Sequence, residues 1–228
     1  MSYFALLLLA SLPTANSEID KVVKKSINAH GGKAALSKAN FLLVTGRISA
    51  PRHGSKPGEF VRLFRNADQL GVALTYPDMV KEVRYLRDGR GWRDGVEITG
   101  MPLYAMQMQA ARMALPLSLL RERANITRRA DVTRDGQVFF VLEQLLSADL
   151  NLLIEINSKT GLIERVIGTL KHGPHTVKFI TDYSDFRVVG GVQFAFKEVR
   201  TIMGHHVADL ETTTIEILKK DPGKEFEL

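Results

Sequence analysis

The chain has 228 residues, of which 45% are hydrophobic, so it is long enough for one large domain with a sizeable core. It contains no cysteine, which excludes a disulfide framework, a thiolate metal site, a catalytic thiol and a lipidated cysteine. The formal net charge of +6 favours anionic partners such as lipid headgroups or nucleic acid without choosing between them.

The first residues have the pattern of a secretory signal. The stretch from Tyr3 to Leu12 is almost wholly apolar, and Ala15-Asn16-Ser17 places small residues where a signal peptidase cuts. The apolar stretch is too short to cross a bilayer as a helix. We therefore predict a signal peptide over residues 1–17 and an exported domain over residues 18–228. A buried N-terminal helix is the alternative.

Two helical segments are predicted next. Glu18 to Asn28 has apolar residues at helical spacing and lysines on the opposite side, which predicts an amphipathic helix. Ser17 is a suitable N-cap, and His30-Gly31-Gly32 ends the helix, because glycine readily adopts the left-handed conformation of a C-cap. A short second helix is predicted over Lys33 to Lys38.

Four strands and a pair of tight turns follow. The strands are predicted over Phe41 to Ala50, Glu59 to Arg65, Gln69 to Tyr76 and, after a Pro77-Asp78 turn, Val80 to Arg87. Asp88-Gly89 and Asp94-Gly95 then flank a short strand that carries the only tryptophan, Trp92. Each Asp-Gly step suits a hairpin turn, and turn geometry explains these aspartates better than a catalytic carboxylate pair does.

Met101 to Arg123 interrupts the β pattern. It predicts two helices split near Pro116, the second over Leu117 to Arg123. The segment holds four of the seven methionines, whose flexible side chains are common on surfaces that accept varied partners. Two interpretations stay open: the insert is core cover for the sheet, or it is a movable plug over a ligand cavity with a hinge near Pro116.

Asn125 to Leu218 predicts a meander of antiparallel strands. Turn signals recur at Asp135-Gly136, Ser158-Lys159-Thr160-Gly161, Gly173-Pro174, Gly190-Gly191 and Met203-Gly204. This spacing leaves no room for crossover helices, so neighbouring strands are expected to pair antiparallel. The clearest strands are Gln137 to Leu145, Asn151 to Asn157, Leu162 to Leu170 and Thr176 to Tyr183.

Several of these strands are apolar on both faces. In Asn151 to Asn157, for example, Leu152 and Ile154 point one way and Leu153 points the other. A sheet with one face in water alternates apolar and polar residues, so something apolar is expected to cover the second face. A packed helix is one explanation, and a face that partly lines an apolar cavity is the other.

The chain carries no signature of a phosphate-binding loop, a dinucleotide fold, a zinc peptidase or a serine hydrolase. The histidine pairs at 172/175 and 205/206 are poorly placed to chelate, so we predict no metal and no cofactor. Asp182 and Asp185 form a conceivable acid/base pair, but hydrogen bonding at a strand end explains them better. Arginines cluster within residues 84–93 and 121–129 without interleaved aromatic residues, which argues against nucleic acid.

A set of short motifs recurs along the chain in a consistent order. They are Ala29-His30-Gly31-Gly32 with Ala35-Leu36, Pro77-Asp78, Asp88-Gly89 with Gly91-Trp92, Ile156-Asn157 with Thr160-Gly161-Leu162-Ile163, Tyr183-Ser184-Asp185-Phe186-Arg187, Gly191-Val192 and Thr212-Thr213-Thr214. Together they resemble the outer-membrane lipoprotein-sorting family, the LolA/LolB-like carriers of bacterial periplasms. The resemblance implies a mainly β, α+β fold: an incomplete antiparallel barrel of about eleven strands, closed by the N-terminal helix and the central insert.

The resemblance also implies a function. Family members hold acyl chains or other lipids between sheet and helices, and the absence of cysteine makes this chain similar to the soluble carrier. We therefore predict a non-enzymatic, soluble periplasmic carrier of lipid or lipoprotein acyl chains, with membrane proteins and an anionic membrane surface as partners. The predicted cavity residues are Trp92, Tyr104, Met106, Met108, Met113, Leu117, Leu120, Phe140 and Phe194. The alternatives are a protein-binding regulatory or assembly module on the same fold, or an enzyme that uses Asp182, Asp185 and the histidines.

Overall fold

The computed structural model describes residues 15–54, 56–77 and 79–221. Most of the predicted signal peptide, Asp78 of the predicted Pro77-Asp78 turn, and residues 222–228 of the charged tail lie outside the described residues. In the described part, one antiparallel sheet of thirteen strands is accompanied by four α-helices.

The helices are α1 (Ala15–Ala29), α2 (Gly32–Lys38), α3 (Met101–Met113) and α4 (Ser118–Arg121), with 3-10 turns at Pro51–His53 and Arg123–Asn125. The strands of the first half are β1 (Leu42–Ser49), β2 (Gly58–Asn66), β3 (Gln69–Thr75), β4 (Glu82–Arg87), β5 (Arg90–Arg93) and β6 (Val96–Ile98). Those of the second half are β7 (Ile126–Arg134), β8 (Gln137–Leu145), β9 (Leu150–Asn157), β10 (Ile163–His172), β11 (His175–Val189), β12 (Val192–Ile202) and β13 (His205–Ile217).

The strand order is β6-β5-β4-β3-β2-β1-β13-β12-β11-β10-β9-β8-β7. Two meanders are therefore joined where β1 pairs with β13, and the predicted antiparallel pairing is confirmed. The two edge strands, β6 and β7, are consecutive in sequence, so the helical insert runs from one edge of the sheet to the other. The number of strands is thirteen and not about eleven, because the paired Asp-Gly turns add the very short β5 and β6 at one edge.

The hairpin turns follow the sequence closely. At Asp88-Gly89, Asp94-Gly95 and Asp135-Gly136 both residues have positive φ, between 50° and 81°. Two successive residues of positive φ form a type I′ turn, whose twist matches that of the flanking strands. Asp-Gly adopts this turn readily. The prediction that these aspartates serve turns is confirmed.

The predicted amphipathic helix is present as α1. Its apolar residues Ile19, Val22, Val23 and Ile27 are buried in a cluster with strands β8 to β10. The helix begins at Ala15, so Ser17 lies within its first turn and is not the N-cap that we predicted. The turn into α2 requires glycine at Gly31, where φ is 108° and a Cβ would collide with the backbone of Gly191.

Helix α3 packs between the two halves of the sheet. On one flank, Met108 and Ala111 join the cluster that contains α1 and β8 to β10. On the other flank, Met106 and Ala110 join a second cluster with β1 to β4. The helix also contacts strands on both sides of the β1–β13 junction, β2 to β5 on one side and β10 on the other. The sheet therefore curves around α3.

The second apolar face of β8 is covered differently from our expectation. Phe139 is only 2% exposed, and the Arg134 guanidinium lies 4.3 Å from the centre of its ring. Arg134 is held there by an ion pair with Glu155 on β9. The methylene groups and the planar guanidinium of Arg134 thus cover this face of β8. Neither a helix nor a cavity is needed to explain why the face is apolar.

Candidate functional site

Three neighbouring cavities lie between α3 and the concave face of the sheet. The α2 cavity, of about 200 Å³, is bordered by Leu36 and Leu42. The central cavity, of about 120 Å³, is bordered by Leu42 and Val44. The β3 cavity, of about 280 Å³, is bordered by Ile48 and Ala50 beside β3. Because Leu42, Val44 and Ile48 follow one another along β1, the cavities form a row.

Neighbouring cavities share walls. The α2 and central cavities have Leu42, Met113, Leu115 and Phe194 in common. The central and β3 cavities share a polar set, Arg62, Gln109, Arg112 and Arg200. From Leu42 to Ala50 a strand spans about 26 Å at roughly 3.3 Å per residue. One leaflet of a bilayer core is about 15 Å thick, so the row is longer than a typical acyl chain.

The predicted cavity residues fall into four groups, the last of which is Trp92 alone. Met106, Met113, Leu117 and Phe194 border the cavities. Met108, Tyr104 and Phe140 belong to the hydrophobic cluster of α1 and β8 to β10, and they do not border these cavities. Leu120 is 40% exposed at the surface, and its neighbour Leu119 is the buried anchor of α4.

Trp92 lies away from the cavities, on the opposite face of the sheet. It pairs with Tyr85 across β4 and β5, and the two rings stack at 4.8 Å between centroids. The neighbouring residue on β4, Leu86, is buried in the core, and adjacent residues of a strand point to opposite faces. The sequence around Trp92, which follows a glycine, did not indicate which face of the sheet its side chain occupies.

A buried charged cluster separates the central cavity from the β3 cavity. Arg62 of β2 donates two hydrogen bonds to Glu198 of β12, at 2.5 Å from Nη1 to Oε1 and 3.4 Å from Nη2 to Oε2. Arg200 donates to Glu198 Oε2 from Nε at 3.1 Å and from Nη2 at 2.7 Å. Arg62 is 3% exposed and Glu198 is 9% exposed. Strands β1 and β13 lie between the partners, so the sheet must curve for the side chains to meet.

The charges of this cluster are mutually dependent. Burial alone would raise the pKa of the Glu198 carboxyl, but the positive charges of Arg62 and Arg200 outweigh it and hold the pKa far below its ordinary value. Burial lowers the pKa of Arg62, and Glu198 opposes that effect. Glu198 is therefore ionised at any physiological pH and is the counter-charge of the cluster.

Helix α3 adds a third arginine. Ala105, Gln109 and Arg112 lie on one stripe of the helix, between its two packed flanks, and all three border the β3 cavity. Burial lowers the pKa of Arg112, while the nearby Tyr183 and Glu198 oppose the shift. Among the described residues, the Arg112 guanidinium has no hydrogen-bond or ion-pair partner.

Our sequence reasoning missed this charged cluster, although a signal for it exists. Phe60, Arg62 and Phe64 occupy alternate positions of one strand, so Arg62 sits on an apolar face. On β12, Phe194 and Phe196 are likewise followed at alternate positions by Glu198. A charge at a position where period-two alternation predicts burial must be paired or functional, and two such charges of opposite sign predict a pair.

The two aspartates of the enzyme alternative form ion pairs away from the cavities. Asp182 pairs with Arg165 of β10, and Asp185 accepts two hydrogen bonds from Arg187, at 2.7 Å and 3.1 Å. Neither carboxylate borders the three cavities. Among the described residues, no group of three or more His, Asp and Glu side chains is placed to hold a metal ion.

The arginine groups of the sequence are largely paired as well. Ion pairs join Arg84 and Arg93 to Glu82, Arg90 to Glu97, Arg123 to Asp20, Arg128 to Asp131 and Arg129 to Glu143. These pairs lower the local positive potential, so the basic surface is less concentrated than the sequence indicates. No helix of the described residues is both long enough and apolar enough to span a bilayer.

Solved structures share this architecture at low sequence identity. A LolA superfamily protein from Nitrosomonas europaea has a TM-score of 0.57 and 14% identity, covering 87% of this chain and 97% of its own. A protein of the DUF1329 family from Desulfovibrio piger has a TM-score of 0.55 and 10% identity, covering 90% and 95%. The fold is LolA-like. No family model matches the sequence, and no curated protein matches it.

The resemblance predicted from the motifs is thus confirmed for the fold. Within this LolA-like fold, the Ala29-His30-Gly31-Gly32 motif links α1 to α2 and fastens both to the sheet. The His30 Nε2 atom accepts a hydrogen bond from the Ile163 backbone N–H at 3.2 Å, and Nδ1 therefore donates to the Gln193 carbonyl at 2.9 Å. His30 also borders the central cavity, so the motif shapes one end of the site.

Proposed function

We propose that this protein is a soluble periplasmic carrier that holds an acyl chain, of a lipid or a lipoprotein, in the row of cavities beneath α3. The continuity of the row carries the proposal, because the α2 and central cavities share the apolar side chains of Met113, Leu115 and Phe194. The LolA-like fold supports it. The proposal gives the chain no catalytic role.

The energetics suit a carrier. Moving an acyl chain of about fourteen carbons out of water contributes roughly 10 kcal/mol at about 0.8 kcal/mol per CH₂. Association costs about 4–15 kcal/mol in lost translational and rotational freedom. The two contributions are of similar size, so burial of the hydrocarbon chain drives binding without further chemistry and leaves an affinity low enough for release.

The row reaches the surface at its α2 end. The α2 cavity is bordered there by the exposed residues Asn66, Asp68 and Arg121. The insert that contains α3 and α4 covers the rest of the row, and we propose that it moves aside to admit and release the chain. The adaptable methionine contacts of α3 favour such repacking.

Export and partners complete the proposal. We propose that residues 1–17 are a signal peptide that directs export to the periplasm, where a carrier between two membranes meets proteins of the inner and outer membrane. The formal net charge of +6 favours its approach to anionic membrane surfaces.

The test is native mass spectrometry of protein purified from the periplasm, together with fluorescent fatty-acid binding to two variants. We expect a co-purified lipid, and we expect Met113→Asp to lose binding, because it places a charged group among the apolar side chains between two cavities. Met79→Asp is the matched control, since Met79 is 46% exposed and borders none of these cavities. Equal binding by both variants would refute the proposal.

A protein-binding module is the second candidate, and the edge strand β7 favours it. Its nine residues pair with β8 on one side, and most of its side chains are exposed. An unpaired edge can accept a further strand from a partner. Co-purification of a polypeptide with an empty cavity would favour this function over the carrier.

A further inference from the structure

Arg112 is the feature of the site that acyl-chain binding leaves unexplained. It lies on α3 in the wall between the central and β3 cavities, and its side chain is partly buried. An apolar residue here would line a carrier cavity at less cost, because a guanidinium that is partly removed from water loses hydration and needs acceptors in return.

The neighbouring carboxylate is already fully used. Both oxygens of Glu198 accept hydrogen bonds from Arg62, and Oε2 also accepts from Arg200. Three guanidiniums therefore surround a single carboxylate, which leaves an excess of positive charge at the cavity wall. Among the described residues bordering the central cavity, Glu198 is the only acidic one.

The geometry places this excess charge beside an apolar space. On one side of Arg112 the central cavity is bordered by Val44, Met113, Leu115 and Phe194. A ligand that satisfied Arg112 and also filled this space would need an anionic group at one end and a hydrocarbon tail at the other. A planar guanidinium binds carboxylate and phosphate oxygens in a two-pronged geometry.

We propose that the site is specific for a free acidic amphiphile, whose carboxylate or phosphate group binds Arg112 and whose single tail lies along the central cavity toward the α2 cavity. This inference rests on the proposed carrier function and narrows it. The predicted ligand is then an acyl chain that carries its own anionic headgroup, and no longer an acyl chain of any origin. Arg62 and Arg200 hold Glu198 in place and add positive potential at the same point.

The test compares three probes with the same sixteen-carbon tail: palmitate, hexadecyl phosphate and hexadecanol. Inorganic phosphate is a fourth probe without a tail. We expect both acidic probes to bind the wild-type protein at least about tenfold more tightly than hexadecanol, as for hydrogen bonds to a charged group. The stronger of the two acids identifies the headgroup, and we expect inorganic phosphate alone to bind weakly.

Two variants locate the effect. Arg112→Met should reduce the affinity for both acids to that for hexadecanol, while hexadecanol binding stays the same or improves. Arg47→Met is the matched control, because Arg47 is exposed on β1 and borders none of these cavities, and it should leave every affinity unchanged.

The outcomes separate this inference from the carrier function. Equal affinities of wild-type protein for palmitate, hexadecyl phosphate and hexadecanol would overturn the inference and leave the carrier intact. Retention of the acid preference by Arg112→Met would overturn the role of Arg112. Absence of binding by all three tailed probes would refute the carrier function and the inference together. If Arg112→Met fails to fold, Arg112→Gln and the wild-type comparison still decide the question.

Discussion

Single residues decide the charge of the cavity wall. Arg62 and Glu198 occupy positions where strand alternation places buried apolar side chains, and the structure joins them across two intervening strands. The sequence indicates that each is unusual, but it cannot indicate that they meet, because their contact depends on the curvature of the sheet. The same is true of Arg112, whose distance from any acceptor is a tertiary property.

The first residue-scale prediction concerns Glu198. Glu198→Gln leaves the buried Arg62 and the partly buried Arg200 without a counter-charge, so we expect a loss of roughly 3–5 kcal/mol in the free energy of unfolding. Asp185→Asn is the control, because it removes the partner of the exposed Arg187 and should leave the urea midpoint nearly unchanged. Similar urea midpoints for both variants would show that the buried cluster does not stabilise the fold.

The second residue-scale prediction concerns His30. Burial lowers its pKa, and its Nε2 atom accepts the Ile163 N–H bond only when the ring is neutral. The unfolded chain takes up this proton near pH 6.5, whereas the native protein does so only at lower pH. Between these values the unfolded state binds more protons, so stability falls as pH decreases, by up to about 1.4 kcal/mol per pH unit.

The measurement is urea denaturation at a series of pH values for wild type and His30→Gln. Glutamine keeps hydrogen-bonding groups at the position but does not titrate. We expect the wild type to lose stability below about pH 6.5 more steeply than the variant. Parallel pH profiles would mean that His30 is not the titrating group.

At the scale of elements, the predicted hairpins were accurate where local chemistry sets them. The strand β8 has the predicted bounds, and the Asp-Gly steps form the predicted hairpin turns. The strand β7 lies within the predicted meander, but its bounds were not predicted because its exposed residues lack an apolar alternation, and β11 is longer than predicted. Asp185 has a φ of 53°, but β11 pairs with β12 in the same register before and after it, so the strand continues past the apparent strand end at Tyr183.

The element-scale prediction tests how α3 docks on β10. At Gly168 an added Cβ would collide with Sδ of the fully buried Met108. Gly168→Ala should therefore destabilise the protein by about 1–3 kcal/mol, since the neighbour must shift. Met108→Ala alone should lower the free energy of unfolding by about 2–5 kcal/mol, because it leaves a cavity in the core.

The double variant supplies the control. If the two residues are in contact, Gly168→Ala should cost much less, or nothing, in the Met108→Ala background, because the space is then free. Additive losses in urea unfolding would show that α3 does not pack on β10 at this point.

At the scale of the whole molecule, the motifs together predicted the LolA-like fold, although most of them are turn chemistry. The cavity row could be predicted only in outline. Phe194 and Met113 border it, but Trp92 lies on the other face and Phe140 in the core. When both faces of a strand are apolar, its sequence cannot indicate which face lines the cavities. That depends on which face the helix packs against.

The central claim is that the ligand lies beneath α3, and tryptophan quenching by a brominated fatty acid tests it most directly. The wild-type protein carries one tryptophan, Trp92, on the outer face. In the variant Trp92→Phe with Phe194→Trp, the single indole borders the α2 and central cavities. We predict strong, saturable quenching in this variant and little in the wild type. Saturable quenching of Trp92 with none in the variant would contradict the account.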